Sequence, residues 1–187
     1  DATLAQPADA RLNVALVADA LIQHAIHHNP EIGITTGSVN VVVGETNDGH
    51  LNDLQGRHVR AEHVWRAIEA ASPNSVVEGA VGVGTGTTCF GWKGGVGTAS
   101  RVVAEDEGGF TLGALVQTNY GRPNRLTILG VPIGRSLCPP DVDEREAIGD
   151  GSVMIVLATD APLSARQLEC LCVRASAGLA RTGSVHD

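Results

Sequence analysis

The chain is short of several things that would direct it elsewhere. Of its 13 basic residues only Lys93 is a lysine, and they face 21 Asp and Glu for a formal net charge of -8. With no Lys/Arg cluster to follow a phosphate backbone, nucleic acid is excluded as a first expectation. No stretch reaches the roughly 18 consecutive apolar residues of a membrane span, and no charged segment leads into an apolar one as in a secretory signal. A soluble chain with no membrane partner is therefore expected. Four cysteines, Cys89, Cys138, Cys170 and Cys172, are too few and too irregularly spaced for a disulfide framework, so a reducing, cytoplasmic setting is the default. Aromatics make up only 3% of the chain, whereas 23 glycines and an Ala- and Val-rich hydrophobic fraction of 43% make it light. At 187 residues it fits one compact domain, or a large piece of one.

Periodicity supplies the elements. Residues 12–28 (LNVALVADALIQHAIHH) place Val14, Val17, Leu21 and Ala25 at helical intervals until Asn29-Pro30 stops the pattern, which predicts an amphipathic helix lying on a sheet. A β-branched strand is expected over 38–45, a polar loop over 46–56, a second helix over 58–71 and a Gly-laced strand over 76–84. Glycines crowd residues 82–97 (GVGTGTTCFGWKGGVG), and alternating patterns over 98–105, 110–120 and 125–129 read as a meander of strands. Residues 138–151, with two prolines and five acidic residues, read as an exposed connection. A strongly apolar strand follows over 152–160, and Pro162 with Ser164 starts a last helix whose apolar face includes Leu168, Leu171, Cys172 and Leu179. Runs of adjacent strands without strict strand-helix alternation point to an α+β fold, with helices outside two packed, mainly antiparallel sheets.

Several candidate sites weaken on inspection. The glycines do not make a dinucleotide fingerprint, because Thr87 breaks the spacing after Gly82 and Gly84. Nor do they make a phosphate loop, because Trp92 separates Gly91 from Lys93, and Gly94 stands where Ser or Thr is needed. His24, His27 and His28 near a helix end lack a third metal ligand at a recognisable spacing and suit the negative end of the helix dipole instead. Cys170 and Cys172 point apart on a helix and read as packing residues.

Gly151-Ser152 is more informative. A serine at the head of an apolar strand, after a glycine and an acidic connection, is placed where a chain can cut itself: the hydroxyl attacks the preceding carbonyl and the resulting ester hydrolyses. The product is an N-terminal serine whose α-amine, with an ordinary pKa of about 8, can act as base for its own hydroxyl. A turn serine that merely starts a strand is the other reading of the same dipeptide.

Ordered blocks along most of the chain favour the first. Residues 46–53 (TNDGHLND), 56–58 (GRH), 84–86 (GTG), 89–95 (CFGWKGG) and 97–101 (GTASR) are followed by 112–121 (LGALVQTNYG), 130–134 (GVPIG), 151–163 (GSVMIVLATDAPL) and 178–183 (GLARTG). Together they resemble the β-aminopeptidases, the L-aminopeptidase/D-esterase-amidase group of self-cleaving N-terminal-nucleophile hydrolases. The resemblance implies an αββα sandwich, cleavage between Gly151 and Ser152, and Ser152 as nucleophile. It matches Asn119 to a side-chain donor for the oxyanion and Lys93 to a lysine near the nucleophile, acting on the oxyanion or on the α-amine. A substrate with a free amine asks for an acidic receptor, for which Glu45 and Asp48 are the candidates; His50 stands where relatives tend to carry an aromatic side chain.

The resemblance also implies residues 1–151 as part of a large subunit and 152–187 as the start of a small one. The substrate would be a small peptide, amide or ester. The chain's own processed subunit would be its partner, in a homo-oligomer of such heterodimers, with no metal or organic cofactor. The family chain is longer at both ends, and further active-site groups, a serine and an acidic residue, would fall just after Asp187, so these 187 residues alone are expected not to be a competent enzyme. An endo-acting amidase or an acyl transferase on the same architecture is the nearest rival, although those relatives generally carry threonine at the position of Ser152. A non-catalytic relative with a structural or binding role is the rival of another class.

Overall fold

A computed structural model describes residues 12–137, 139 and 151–184. Two helices form the first unit, α1 (Val14–His28) and α2 (Ala61–Glu69). Val17, Ala20, Val59 and Val64 make their shared core, with Leu21, Val43, Ala61 and Ile68 packed around it. Asn29 ends α1, its N–H returning to the Ala25 carbonyl at 2.9 Å, and Pro30 cannot continue the helix. At the start of α2 the His63 ring accepts from the Arg60 N–H at 3.0 Å, and Trp65 Nε1 ties the helix to the Ala20 carbonyl at 3.3 Å. The expected contact of α1 with a sheet is not what covers it. Its buried stripe meets α2, and the core cluster contains no residue of the sheet described next.

The second unit is built on strands. A hairpin, β1 (Thr88–Cys89) and β2 (Trp92–Lys93), leads into a three-stranded antiparallel sheet of β3 (Val96–Val102), β4 (Thr111–Asn119) and β5 (Ser152–Thr159), ordered β3-β4-β5. The hairpin turns on Phe90 and Gly91, both at positive φ (51° and 76°), the arrangement that matches strand twist in a two-residue turn. A left-handed phenylalanine costs about 1 kcal/mol or more. Burial of its ring, 3% exposed and edge-on to Tyr120 at 5.4 Å, offsets that cost. The Phe90 N–H donates to the Tyr120 carbonyl at 2.9 Å, which fixes the hairpin against the end of β4.

Three expected strands do not form as such. Residues 38–45 have no ladder partner among the described residues, so β-branched composition alone did not make a strand. Over 76–84 the chain makes a single bridge, Gly79 to Val96, and then a tight turn at Gly82–Gly84, with Gly79 and Gly82 at positive φ. Over 125–129 a turn at Pro123–Arg125 gives way to a small bridge between Ile128 and Val131 across Leu129 and Gly130. The last helix, α3 (Ala165–Ala180), starts as expected: the Ser164 and Gln167 side chains and N–H groups satisfy each other reciprocally. None of its residues is buried, however. Leu171 and Leu179 are half-covered, while Leu168, Cys170 and Cys172 are exposed, so the two cysteines are not packing residues here. Most of the 138–151 connection lies outside the described residues.

Candidate active site

Ser152 opens β5 and pairs in register with Asn119, the last residue of β4, so the two side chains project from one face at one end of the sheet. Asn119 Nδ2 donates to Ser152 Oγ at 3.0 Å. The backbone N–H of Asn47 donates to the same oxygen at 3.1 Å. The orientation of the Asn119 amide is set from its other end, because the Thr88 N–H, which can only donate, points at Oδ1 from 3.1 Å. Nδ2 is thereby turned toward Ser152 and also reaches the Asn47 carbonyl at 2.5 Å. Two separate segments thus donate to one hydroxyl, and a third, at Thr88, aims one of them.

Gly151 precedes it with little room to spare. A Cβ there would lie 3.0 Å from Tyr120 Cβ and 3.2 Å from Tyr120 Cα, so any larger residue must push against the end of β4. Beside Tyr120, burial pushes the Cys89 thiol above its ordinary range, so it is a thiol rather than a thiolate at neutral pH and a poor rival nucleophile.

Lys93 stands opposite Thr88 in the hairpin, on the same rung as the residue whose N–H anchors Asn119. Its ammonium donates to the Gly84 carbonyl at 2.7 Å and the Thr87 carbonyl at 3.0 Å, and partial desolvation holds it below the usual lysine range. These bonds, rather than one to Ser152 or Asn119, are what hold it. Asp48 is 2% exposed and faces Gly86, where a Cβ would come within 2.7 Å of its Oδ2. Its side chain accepts from Asn52 Nδ2 at 3.2 Å and its carbonyl from the Leu51 and Asn52 N–H groups, a clasp inside the loop. Glu45 is half-buried, and its Oε2 is fully covered with no hydrogen-bond partner among the described residues. His50 is exposed.

The histidines at the end of α1 make contacts of their own. His28 Nδ1 donates to the His24 carbonyl at 2.8 Å, and the two ring centroids lie 4.1 Å apart with the planes tilted by 40°. Among the described residues no group of three or more His, Cys, Asp and Glu side chains is arranged to hold a metal ion.

Sequence reasoning did not single out Asn47 or Thr88. Both act through the backbone, which any residue type supplies, so their side chains carry no signal.

The fold has solved counterparts. The chain is 45% identical to a β-aminopeptidase from Burkholderia sp., with a TM-score of 0.81 over 92% of this chain and 46% of that one. It is 38% identical, with a TM-score of 0.78, to the L-aminopeptidase D-Ala-esterase/amidase of Ochrobactrum anthropi over 92% of this chain and 47% of that one, a structure described as a variant of the Ntn hydrolase fold. The α+β fold described above is of that N-terminal-nucleophile type. A curated relative, the β-peptidyl aminopeptidase BapA of Sphingosinicella microcystinivorans, is 47% identical over 154 residues, which are 76% of this chain and 39% of that protein. The model of Peptidase family S58 matches residues 10–187, and the chain belongs to that family. It spans less than half the length of these relatives. No helix among the described residues is long and apolar enough to cross a membrane.

Proposed function

We propose that this chain carries the self-cleavage junction and the nucleophile of a serine aminopeptidase that releases N-terminal residues from small peptides, amides or esters, β- and D-configured ones included. The observation that carries the reading is the pair of donors on Ser152 Oγ, Asn119 Nδ2 at 3.0 Å and the Asn47 N–H at 3.1 Å. A hydroxyl has two acceptor lone pairs and one hydrogen. With both lone pairs facing donors, the hydrogen is directed to the remaining corner, where a base must take it. For the bond to carbon to form, one donor must release its lone pair, and the Asn119 amide is the one that can turn its hydrogen to the carbonyl oxygen as Oγ approaches, while the Asn47 N–H stays on Oγ.

In self-cleavage Oγ attacks the Gly151 carbonyl carbon. The C–O bond forms, the C–N bond to Ser152 breaks, and the hydroxyl proton passes to the departing nitrogen. Water then hydrolyses the ester, leaving the Gly151 carboxylate and a Ser152 with a free amine. In turnover that amine takes the Oγ proton and returns it to the leaving group. Asn119, held ready by the Thr88 N–H, keeps one Nδ2 hydrogen on the Asn47 carbonyl and passes the other from Oγ to the substrate carbonyl oxygen as charge appears there. Two of the three Lys93 donors are engaged by Gly84 and Thr87, which leaves one for the oxyanion and a positive charge that favours the neutral α-amine.

For the substrate ammonium, Glu45 is the better receptor of the two acids, since it is only half-buried while Asp48 is 2% exposed and engaged within its loop. His50, exposed on the same loop, borders the side-chain subsite. On this reading residues 1–151 belong to a large subunit and 152–187 open the small one, the two forming the repeating unit of a homo-oligomer.

The test is an intact denatured mass of the full polypeptide, with and without Ser152→Ala. The wild type is expected as two chains, one beginning at Ser152, and to hydrolyse an anilide bearing a free amine but not its N-acetylated form. Ser152→Ala should remain one chain and be inactive; aminopeptidase activity surviving in that variant would overturn the assignment. Equal turnover of the acetylated anilide would point to an endo-acting amidase instead.

A further inference from the structure

Residues 44–47 lie across the face of the sheet that carries the site. In register Gln117 faces Met154 and Asn119 faces Ser152, and positions two apart on a strand share a face, so all four side chains project together. Gly44 sits against Met154, where a Cβ would fall 2.1 Å from the methionine Cε. Two residues on, Gln117 Nε2 donates to Thr46 Oγ1. The next residue is Asn47, whose N–H meets Ser152 and whose carbonyl meets Asn119. Thr46 and Gln117 are 2% and 4% exposed, so water is not at hand to replace either partner.

The mechanism above uses the Asn47 backbone and neither of these buried side chains. We infer that Thr46 and Gln117 form a positioning pair that holds the Asn47 N–H on Ser152 Oγ. The inference rests on Ser152 being the nucleophile. Its physical basis is the planarity of the peptide joining Thr46 to Asn47: with the Thr46 side chain moored to β4 and the Asn47 carbonyl held by Asn119, the N–H between them has little room to swing. Gln117 stands one same-face position before Asn119 on β4, so a single strand positions both donors to the hydroxyl. If the mooring is lost, Asn119 keeps its anchor on Thr88, but the Asn47 donor drifts. A loss confined to rate is the signature, because a plain packing brace would lower the melting temperature without slowing chemistry in the folded protein.

The experiment compares Thr46→Val, Thr46→Ser, Gln117→Leu and the double variant Thr46→Val/Gln117→Leu in the full polypeptide. It reads the first-order rate of conversion to two chains, then kcat and KM of the processed protein on a free-amine anilide, below the melting temperature of each. Misplacing one group at an active site costs about tenfold to a hundredfold, so Thr46→Val and Gln117→Leu are each expected to lose that much in processing rate and kcat. The loss should fall on kcat more than on KM, because the donor that drifts acts on Oγ; Glu45, the proposed ammonium receptor, is the residue adjacent to Thr46, so KM is expected to rise, but by less than kcat falls. Thr46→Ser, which returns the oxygen, should recover most of the loss. The double variant should be no slower than the slower single one, since both remove the same bond. Gln117→Leu keeps the test open if Thr46→Val does not fold. Wild-type rates in both single variants, or a kcat loss that Thr46→Ser does not recover, would overturn the positioning role while leaving Ser152 as nucleophile. A wild type that neither processes nor turns over would overturn both readings together.

Discussion

Replacing Asn119 with alanine separates what this side chain does for the fold from what it does for the reaction. The amide has three partners: the Thr88 N–H at 3.1 Å, the Asn47 carbonyl at 2.5 Å and Ser152 Oγ at 3.0 Å. Truncation leaves the Thr88 N–H without its acceptor in a half-covered place, which costs about 1 to 3 kcal/mol where water cannot enter, and less where it can. That part of the effect is read in a denaturant or thermal midpoint. The kinetic part is larger. Losing one preorganised donor to a developing oxyanion costs about a hundredfold to a thousandfold in rate, roughly 2.7 to 4 kcal/mol, and should be present at temperatures where the variant is fully folded. The assay is the rate of conversion to two chains followed by kcat at saturating substrate, each beside a melting curve. Asn119→Asp sharpens the result. It keeps an acceptor for the Thr88 N–H but turns a carboxylate oxygen toward Ser152 and the Asn47 carbonyl, so at neutral pH it should be at least as slow as alanine. If Asn119→Ala processes and turns over within about threefold of wild type, Asn119 is a structural clamp and the oxyanion argument is wrong.

Two further outcomes test the frame around the site. Val59 is fully buried between α1 and α2, so Val59→Ala should destabilise the protein by roughly 2 kcal/mol, from two lost methyl groups at about 0.8 kcal/mol each plus a cavity. A midpoint shift near zero in urea would show that the two helices do not share that core. Glu78 accepts from the Thr98 hydroxyl and from the Thr98 N–H at 2.7 Å, occupying an outward-facing donor on edge strand β3, and these bonds hold its carboxyl below the usual range. A depressed carboxylate stabilises the fold above its unfolded pKa of about 4.3 and loses that contribution as pH falls through the folded value. The melting-temperature advantage of wild type over Glu78→Gln should therefore be present at neutral pH and vanish in acid; an advantage that persists unchanged at low pH would contradict the assignment.

How much of this was legible in the sequence depends on whether the signal lies in side chains or in backbone. Helices α1, α2 and α3 and strands β3, β4 and β5 all follow from apolar spacing and caps, because each presents a stripe or alternation that its own residues define. The expected strands over 38–45, 76–84 and 125–129 failed for a different reason: a strand is completed by its neighbour, and β-branched composition says nothing of whether one is there. The positive-φ glycines at 79, 82 and 130 did mark where extension breaks, and the reading gave them too little weight against the valines and leucines beside them. At the site the same division holds. Ser152 and Asn119 could be named because the chemistry needs a hydroxyl and an amide, and the register then pairs them directly. The groups that aim them, the N–H of Asn47 and the N–H of Thr88, belong to peptide units that every residue has. Only folding distinguishes them, by bringing a loop and a hairpin to the same end of β4. The one place where that aiming returns to side chains is Thr46 with Gln117. Both lay inside blocks that pointed to the family, but a buried Thr and Gln read equally well as packing until the bond between them is seen.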